Sequence, residues 1–132
     1  MHAVVKDVEV CTVPFTVGDE GERWDLFSGP DLYYEAYGPE ETCLHTSDVV
    51  NDVGPRDLPV ALGGEFSIEA RAQYALRLLD ADLFGHEVVA RIDFAPGRLI
   101  EQSRGPDPPR TVRLEDGETA LRLTLAWAQG ES

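Results

Sequence analysis

The sequence predicts an all-β protein, an antiparallel β-sandwich of about eight strands. Short segments with apolar residues at alternate positions recur along the chain, a pattern typical of half-buried strands. Turns containing Gly and Pro separate these segments, and no segment has a convincing helical period. With 132 residues the chain is long enough to form its own hydrophobic core. We therefore expect one domain over residues 1–132.

The predicted strands are short and closely spaced. The first, over residues 3–13, places Val4, Val8 and Val10 on its inner face. The next five cover residues 32–37, 43–50, 57–70 (interrupted at Gly63-Gly64), 74–79 and 88–94. The segments RTVRL and TALRLTLAW then form a closing hairpin around an Asp116-Gly117 turn, with leucines at alternate positions of its second arm.

The chain is strongly acidic, with 25 acidic and 11 basic residues and a formal charge of −14. Nucleic-acid-binding proteins normally have the opposite sign, so that class is excluded. A field of this sign also repels anionic membranes, so unaided membrane binding is not expected. A function that depends on a bound cation fits this charge balance, although an acidic surface also keeps a protein soluble.

Two acidic segments stand out beside predicted strands. One lies between the fifth and sixth strands and carries Asp80, Asp82 and Glu87, although strand packing requires no acids there. The other, WDLFSGPD, carries Asp25 and Asp31 six residues apart, with a Gly-Pro turn between them. Carboxylates held close together repel one another, whereas hard oxygen ligands gathered in one place suit calcium. These five residues are therefore candidate calcium ligands.

The order and spacing of these residues resemble the C2 domain (C-two domain), the calcium-dependent phospholipid-binding β-sandwich of protein kinase C and synaptotagmin. The first calcium loop of that family runs from one Asp to a second six residues later, as from Asp25 to Asp31, and an extended strand follows, here LYYEAY. Its third loop has an Asp-x-Asp sequence and a further acid before a strand, as in Asp80, Asp82 and Glu87. The intervening HTSDVVNDVGPRDLPV has the family's order of threonine, turn and proline.

The resemblance covers roughly residues 3–95. It implies the phospholipase-type strand order, one or two bound calcium ions at one end of the sandwich, and a possible additional metal ligand at Asn51 or Asp52. It also implies calcium-dependent docking to a phospholipid surface or to a protein partner. Four large apolar residues within the two loops are candidates for a membrane or partner tip, namely Leu26, Phe27, Leu83 and Phe84.

Three other interpretations remain open. The carboxylates can be ordinary loop residues that cap turns, and the apolar tip residues can fold inward beneath the loops. The domain can be a carbohydrate-binding or adhesion-type sandwich, with Trp24, Tyr33 and Tyr37 as stacking groups. It can also be a C2-like scaffold that mediates assembly without a bound ion.

Catalysis is not expected. His45, Ser47 and Asp48 are too close on one strand to form a triad, and no Gly-x-Ser-x-Gly motif occurs. Neither His2 nor His86 has zinc-ligand spacing to another histidine, and the EF-hand motif is absent.

The sequence contains no apolar run long enough for a transmembrane helix, and its start lacks the apolar core of a signal peptide. The expected location is therefore cytoplasmic, with peripheral membrane association. Cys11 and Cys43 are expected to be free thiols, because no signal for export accompanies them.

Overall fold

In a computed structural model of the chain, the structure describes residues 2–13, 16–17, 22–23, 31–82, 85–102 and 110–128. The strands in this part are β1 (His2–Thr12), β2 (Thr16–Val17), β3 (Glu22–Arg23), β4 (Leu32–Tyr37), β5 (Cys43–Thr46), β6 (Val60–Ala61), β7 (Phe66–Glu69), β8 (Tyr74–Asp82), β9 (Gly85–Phe94), β10 (Thr111–Asp116) and β11 (Thr119–Ala128). Eight of these have four residues or more, in agreement with the predicted number. The helical elements are α1 (Pro96–Gln102) and two 3-10 turns, Pro39–Glu41 and Pro55–Asp57.

The strands form two antiparallel sheets that enclose the core. One sheet has the order β10-β11-β1-β6, with β7 also paired to β1, and the other has the order β5-β4-β8-β9. The short strands β2 and β3 pair with each other. Both sheets contribute fully buried side chains, such as Tyr34 and Leu78 from one and Val8 and Leu123 from the other. The predicted all-β sandwich is therefore confirmed.

Strand β1 contains a bulge that the sequence prediction missed. Its pairing with β11 shifts register between Val5 and Asp7, so the buried positions are Ala3 and Val5 before the shift and Val8 and Val10 after it. Val4, predicted to face the core, is only half-buried. The inserted residue reverses the alternation of faces, which a uniform two-residue period cannot describe.

The predicted interruption at Gly63-Gly64 is the connection between β6 and β7. These two strands pair with β1 on either side of its bulge. The Gly63 amide donates a 2.9 Å hydrogen bond to Asp7 Oδ1, and the Gly63 carbonyl accepts one of 2.7 Å from the Tyr34 hydroxyl. A Cβ atom on Gly64 would lie 2.6 Å from the Val5 carbonyl oxygen. Only glycine allows the two backbones to approach so closely.

Two further details differ from the sequence prediction. Helix α1 was not predicted, because its seven residues are too few to establish a helical period. Asp116 pairs with Thr119, so the hairpin turn is formed by Gly117 and Glu118 rather than by Asp116 and Gly117. Gly117 has a φ of +60°, which suits glycine in the first central position of a hairpin turn. Among the described residues, no helix is both long enough and apolar enough to cross a membrane.

Candidate functional site

The candidate site lies where β4 begins, β8 ends and β9 begins, because antiparallel pairing brings these ends together. A continuous row of paired residues crosses this end of the sheet. Leu32 is paired with Val50 on one side and with Asp80 on the other, and Asp80 is paired with Glu87. Two further pairs, Ala81 with His86 and Asp82 with Gly85, extend β8 and β9 beyond this row.

Asp31 and Asp80 meet at the middle of this end. The Asp31 amide donates a 2.9 Å hydrogen bond to Asp80 Oδ1, and the Asp31 carbonyl accepts one of 2.8 Å from the Ala81 amide. Asp80 is only 9% exposed. A buried carboxylate requires compensation by hydrogen bonds or opposite charge, so this contact both stabilises Asp80 and fixes the chain just before β4.

A third segment joins them through Asp52. Its amide donates a 2.9 Å hydrogen bond to Asp31 Oδ1, and its φ of 55° turns the chain there. Two hydrogen bonds of 2.9 Å between Leu32 and Val50 hold the same segment against β4. The sequence suggested Asp52 only as an additional ligand and gave no sign that its amide would bind Asp31.

For Asp82 and Glu87, only the main chain is described. The sequence prediction placed both, together with Asp80, in a loop, but β8 continues to Asp82 and β9 begins at Gly85. Asp82 pairs with Gly85, and Glu87 pairs with Asp80. The prediction ended β8 too early, because the last alternate positions of this strand carry acidic residues instead of apolar ones. Strand pairing nevertheless holds Glu87 beside Asp80, and Asp82 lies two residues further along the same strand.

Several predicted residues lie outside the described part of the chain. These are Trp24, Asp25, Leu26, Phe27, Leu83 and Phe84. Asn51 is described and exposed, and it lies next to Asp52. Within the described part, no group of three or more His, Cys, Asp or Glu residues is arranged to hold a metal ion. The full ligand set and the apolar tip therefore stay predictions.

The ion pairs of the described residues lie elsewhere. They join Lys6 to Glu65, Arg77 to Glu35, Arg91 to Glu41 and Asp93, Arg113 to Glu115, and Arg122 to Glu9. Neither Asp31 nor Asp52 takes part in any of them. In the described part of the chain, no Lys or Arg ion pair therefore offsets these two charges.

Of the three aromatic residues of the carbohydrate-binding alternative, the structure describes Tyr33 and Tyr37. Tyr33 is 7% exposed, and burial raises the pKa of its hydroxyl. The guanidinium of Arg77 lies 5.5 Å from the ring centroid of Tyr37, whose hydroxyl donates to Glu35 Oε1. A sugar ring requires an open aromatic face, which the buried Tyr33 does not offer, and the Arg77 guanidinium already lies over one face of Tyr37.

The residues considered for a catalytic triad have structural contacts. The Ser47 hydroxyl accepts a 2.9 Å hydrogen bond from the Tyr34 amide and donates one of 3.0 Å to the Asp48 carbonyl. The His45 ring lies 5.6 Å from that of Tyr34 and 6.0 Å from that of Phe66, measured between centroids. These contacts close the edge between the two sheets.

Two concavities lie at the opposite end of the sandwich. The larger, of about 360 Å³, is lined by residues that include Glu40, Glu41, Tyr74 and Arg91. The Arg91 guanidinium binds Glu41 through hydrogen bonds of 2.7 and 2.9 Å and Asp93 through one of 3.1 Å. Its charge is thus already matched by neighbouring carboxylates.

Comparison with known proteins establishes the fold. No protein-family model and no curated protein matches the sequence. A solved C2 domain is similar to the chain at a TM-score of 0.60 and 15% identity, covering 96% of this chain and 99% of that one. The human cytosolic phospholipase A2 GIVD, solved with an inhibitor and terbium chloride, is similar at a TM-score of 0.58 and 13% identity. That alignment covers 94% of this chain but only 17% of the phospholipase.

The strand order agrees with the predicted phospholipase-type arrangement, because one strand of the large sheets, β1, precedes the first acidic segment, and the additional C-terminal strand β11 lies beside it. Asp31 directly precedes β4, and Asp80 and Asp82 are among the last residues of β8. The chain therefore has the fold of a C2 domain.

Proposed function

We propose that this chain is a non-catalytic calcium-binding module that docks to a phospholipid surface when calcium is bound. The observation that carries the proposal is the contact between Asp31, Asp52 and Asp80. Hydrogen bonds join these acids from three separate segments at one end of a C2-like sandwich. Each of these hydrogen bonds runs from a backbone amide to a carboxylate, so together they fix the chain positions of three acidic residues at this end of the sandwich.

Calcium requires six to eight oxygen ligands at about 2.3–2.6 Å, from carboxylates, carbonyls and water. Oδ1 of Asp31 accepts from a backbone amide, which leaves Oδ2 as the oxygen for an ion. Asp80 lies next to it, and Asp25, Asp82 and Glu87 supply the remaining carboxylates of one or two calcium sites. Magnesium suits such a set less well, since it demands octahedral geometry and retains its waters.

The net charge supports docking that depends on calcium. At −14, the chain is repelled by anionic headgroups over a distance of about one Debye length. A bound dication reduces the local negative charge and offers open coordination positions to phosphate oxygens. Phe27, Phe84 and the apolar residues beside them then bury apolar surface in the bilayer. This burial contributes free energy of membrane binding in addition to that of the ion.

Calorimetric titration of the chelator-treated protein with calcium tests the ion site. We expect binding that Asp80→Asn weakens strongly and that Asp93→Asn leaves unchanged. Asp93 is an exposed acid at the opposite end of the sheet, so its substitution removes the same charge elsewhere. The absence of calcium binding in the unaltered protein would refute the proposal.

Co-sedimentation with phosphatidylserine-containing vesicles tests docking. Binding should appear only with calcium, and Phe84→Ala should weaken it about tenfold, since burial of a large apolar side chain contributes roughly 1.5–3 kcal/mol. Calcium affinity without lipid should barely change. Calcium binding without vesicle binding would contradict docking to phospholipid and would favour docking to a protein partner.

A further inference from the structure

Asp52 has a backbone conformation that few residue types adopt readily. Its φ of 55° lies in the left-handed region, where glycine is unstrained and where asparagine and aspartate are the most frequent of the other residues. The chain on either side of it is fixed. Two hydrogen bonds of 2.9 Å join Val50 to Leu32, and Val53 is only 1% exposed in the core. The turn between these two anchors therefore has a defined direction, in which the Asp52 amide donates to Asp31.

The amide of Asp52 restrains a part of Asp31 that the other contacts do not. The Asp31 amide donates to Asp80 Oδ1 at 2.9 Å, and the Asp31 carbonyl accepts from the Ala81 amide at 2.8 Å. Both of these hydrogen bonds act on the main chain of Asp31. The 2.9 Å hydrogen bond from the Asp52 amide acts on the carboxylate itself, at Oδ1. Because its acceptor is charged, it is one of the stronger kinds of hydrogen bond, and it holds the Asp31 carboxylate in one orientation.

We propose that Asp52 is a positioning residue that orients the Asp31 carboxylate for calcium through its main-chain amide, and that the Asp52 carboxylate is not a ligand. This inference rests on the proposed function. A side chain that is already oriented loses less conformational freedom when it binds. Groups that hydrogen-bond to metal ligands typically change the metal affinity by about 10–100-fold when they are removed. The left-handed turn by itself accounts for an aspartate at position 52, because aspartate tolerates this conformation.

Two variants at position 52 separate the amide from the carboxylate. Asp52→Gly removes the carboxylate, keeps the N–H donor and is unstrained at a φ of 55°. The ester analogue of Asp52→Gly, with glycolic acid at position 52, differs from it only by an oxygen atom in place of the N–H, so it lacks the donor. Calorimetric titration measures the calcium affinity of both, and urea denaturation in chelator measures the stability of the ion-free proteins.

A matched control lies in the same segment of the chain. The Gly54 amide donates a 2.8 Å hydrogen bond to Oδ2 of Asp57, which is not a candidate ligand. Glycolic acid in place of Gly54 therefore removes the same kind of hydrogen bond, from a backbone amide to a carboxylate, without affecting Asp31. Each of the two esters should shift the urea midpoint of the ion-free protein to a lower concentration. Only the ester at position 52 should change the calcium affinity.

We expect Asp52→Gly to bind calcium within about threefold of the unaltered protein, because salt screens the exposed charge that it removes. Its ester analogue should bind about 10–100-fold more weakly than Asp52→Gly. Asp52→Asn, which keeps the amide and tolerates the turn, should bind like the unaltered protein.

Equal calcium affinities of Asp52→Gly and its ester analogue would overturn this inference alone. A loss of about tenfold or more in Asp52→Gly itself would also overturn it, by making the Asp52 carboxylate a ligand. An equal loss in the ester at position 54 would overturn it by assigning the effect to general destabilisation. If the unaltered protein bound no calcium, the proposed function would be overturned together with the inference.

Discussion

The amide of Asp31 donates a 2.9 Å hydrogen bond to Oδ1 of Asp80, which lies 49 residues further along the chain. This contact ties the segment that precedes β4 to the end of β8. Asp31 in turn accepts a hydrogen bond from the Asp52 amide. The two aspartates therefore organise three segments through these hydrogen bonds, and their structural and ligand roles must be separated by experiment.

Asp80→Asn and Asp80→Ala should separate these roles. Asparagine keeps an oxygen that accepts from the Asp31 amide but removes the charge, so we expect normal stability and weak calcium binding. Alanine removes the acceptor at a nearly buried position, which should cost about 1–3 kcal/mol of unfolding free energy. Urea denaturation and calcium titration of both variants measure this. Equal destabilisation by asparagine and alanine would mean that the charge itself is structural.

A substitution at Asp82 tests a second candidate ligand, whose side chain the structure does not describe. Asp82→Asn should weaken calcium binding and leave the ion-free protein equally stable or slightly more stable, since one repelling charge is removed. The measurements are calcium titration and urea denaturation in chelator. A loss of several kcal/mol without calcium would instead identify Asp82 as a structural residue.

The sequence was informative where residue type alone determines the outcome. Leu76 and Leu78 alternate because both face the core from β8, and Asp31 and Asp80 stood out because strand packing does not need acids there. It failed where the result depends on a contact between distant segments. The bulge after Val5 lies where the Gly63 amide donates a hydrogen bond to Asp7 from the connection between β6 and β7. The Asp52 amide reaches Asp31 through a local turn. Neither the bulge nor this hydrogen bond produces a periodic pattern of apolar residues in the sequence.

Gly64→Ala should destabilise the protein, because its Cβ atom would lie 2.6 Å from the Val5 carbonyl oxygen. We expect a loss of more than about 1 kcal/mol in urea denaturation. Gly54→Ala is the matched control: its backbone is extended, and a Cβ there lies an ordinary 3.6 Å from Asp57 Oδ2. That variant should be neutral or stabilised by up to about 1 kcal/mol. Equal behaviour of the two would argue against the close approach of β1.

Tyr34→Phe should alter stability at alkaline pH. Burial, and then the nearby charge of Asp7, raises the pKa of Tyr34 above its usual 10.0. The unfolded chain therefore releases this proton first as pH rises above 10.0, and the contribution of Tyr34 to stability is present below that pH and declines above it.

Urea denaturation at about pH 8 and about pH 11 measures the effect. At the lower pH, Tyr34→Phe should be less stable by about 1 kcal/mol, because the hydrogen bond to the Gly63 carbonyl is lost. Between the two pH values, the variant should lose less stability than the unaltered protein does. Parallel losses in both proteins would place the alkaline transition on other groups.

Calcium should raise the melting temperature of the chelator-treated protein. Carboxylates such as Asp31 and Asp80 repel one another without an ion, and a ligand that binds only the native state at 100 times its dissociation constant adds about 2.7 kcal/mol. For a domain of this size, that corresponds to a rise of several degrees. Calorimetric scans in calcium, in equimolar magnesium and in sodium chloride of equal ionic strength separate specific binding from screening of the net charge of −14. Asp80→Asn should lose most of the calcium-specific rise, whereas a rise in calcium no larger than that in sodium chloride would leave only general screening.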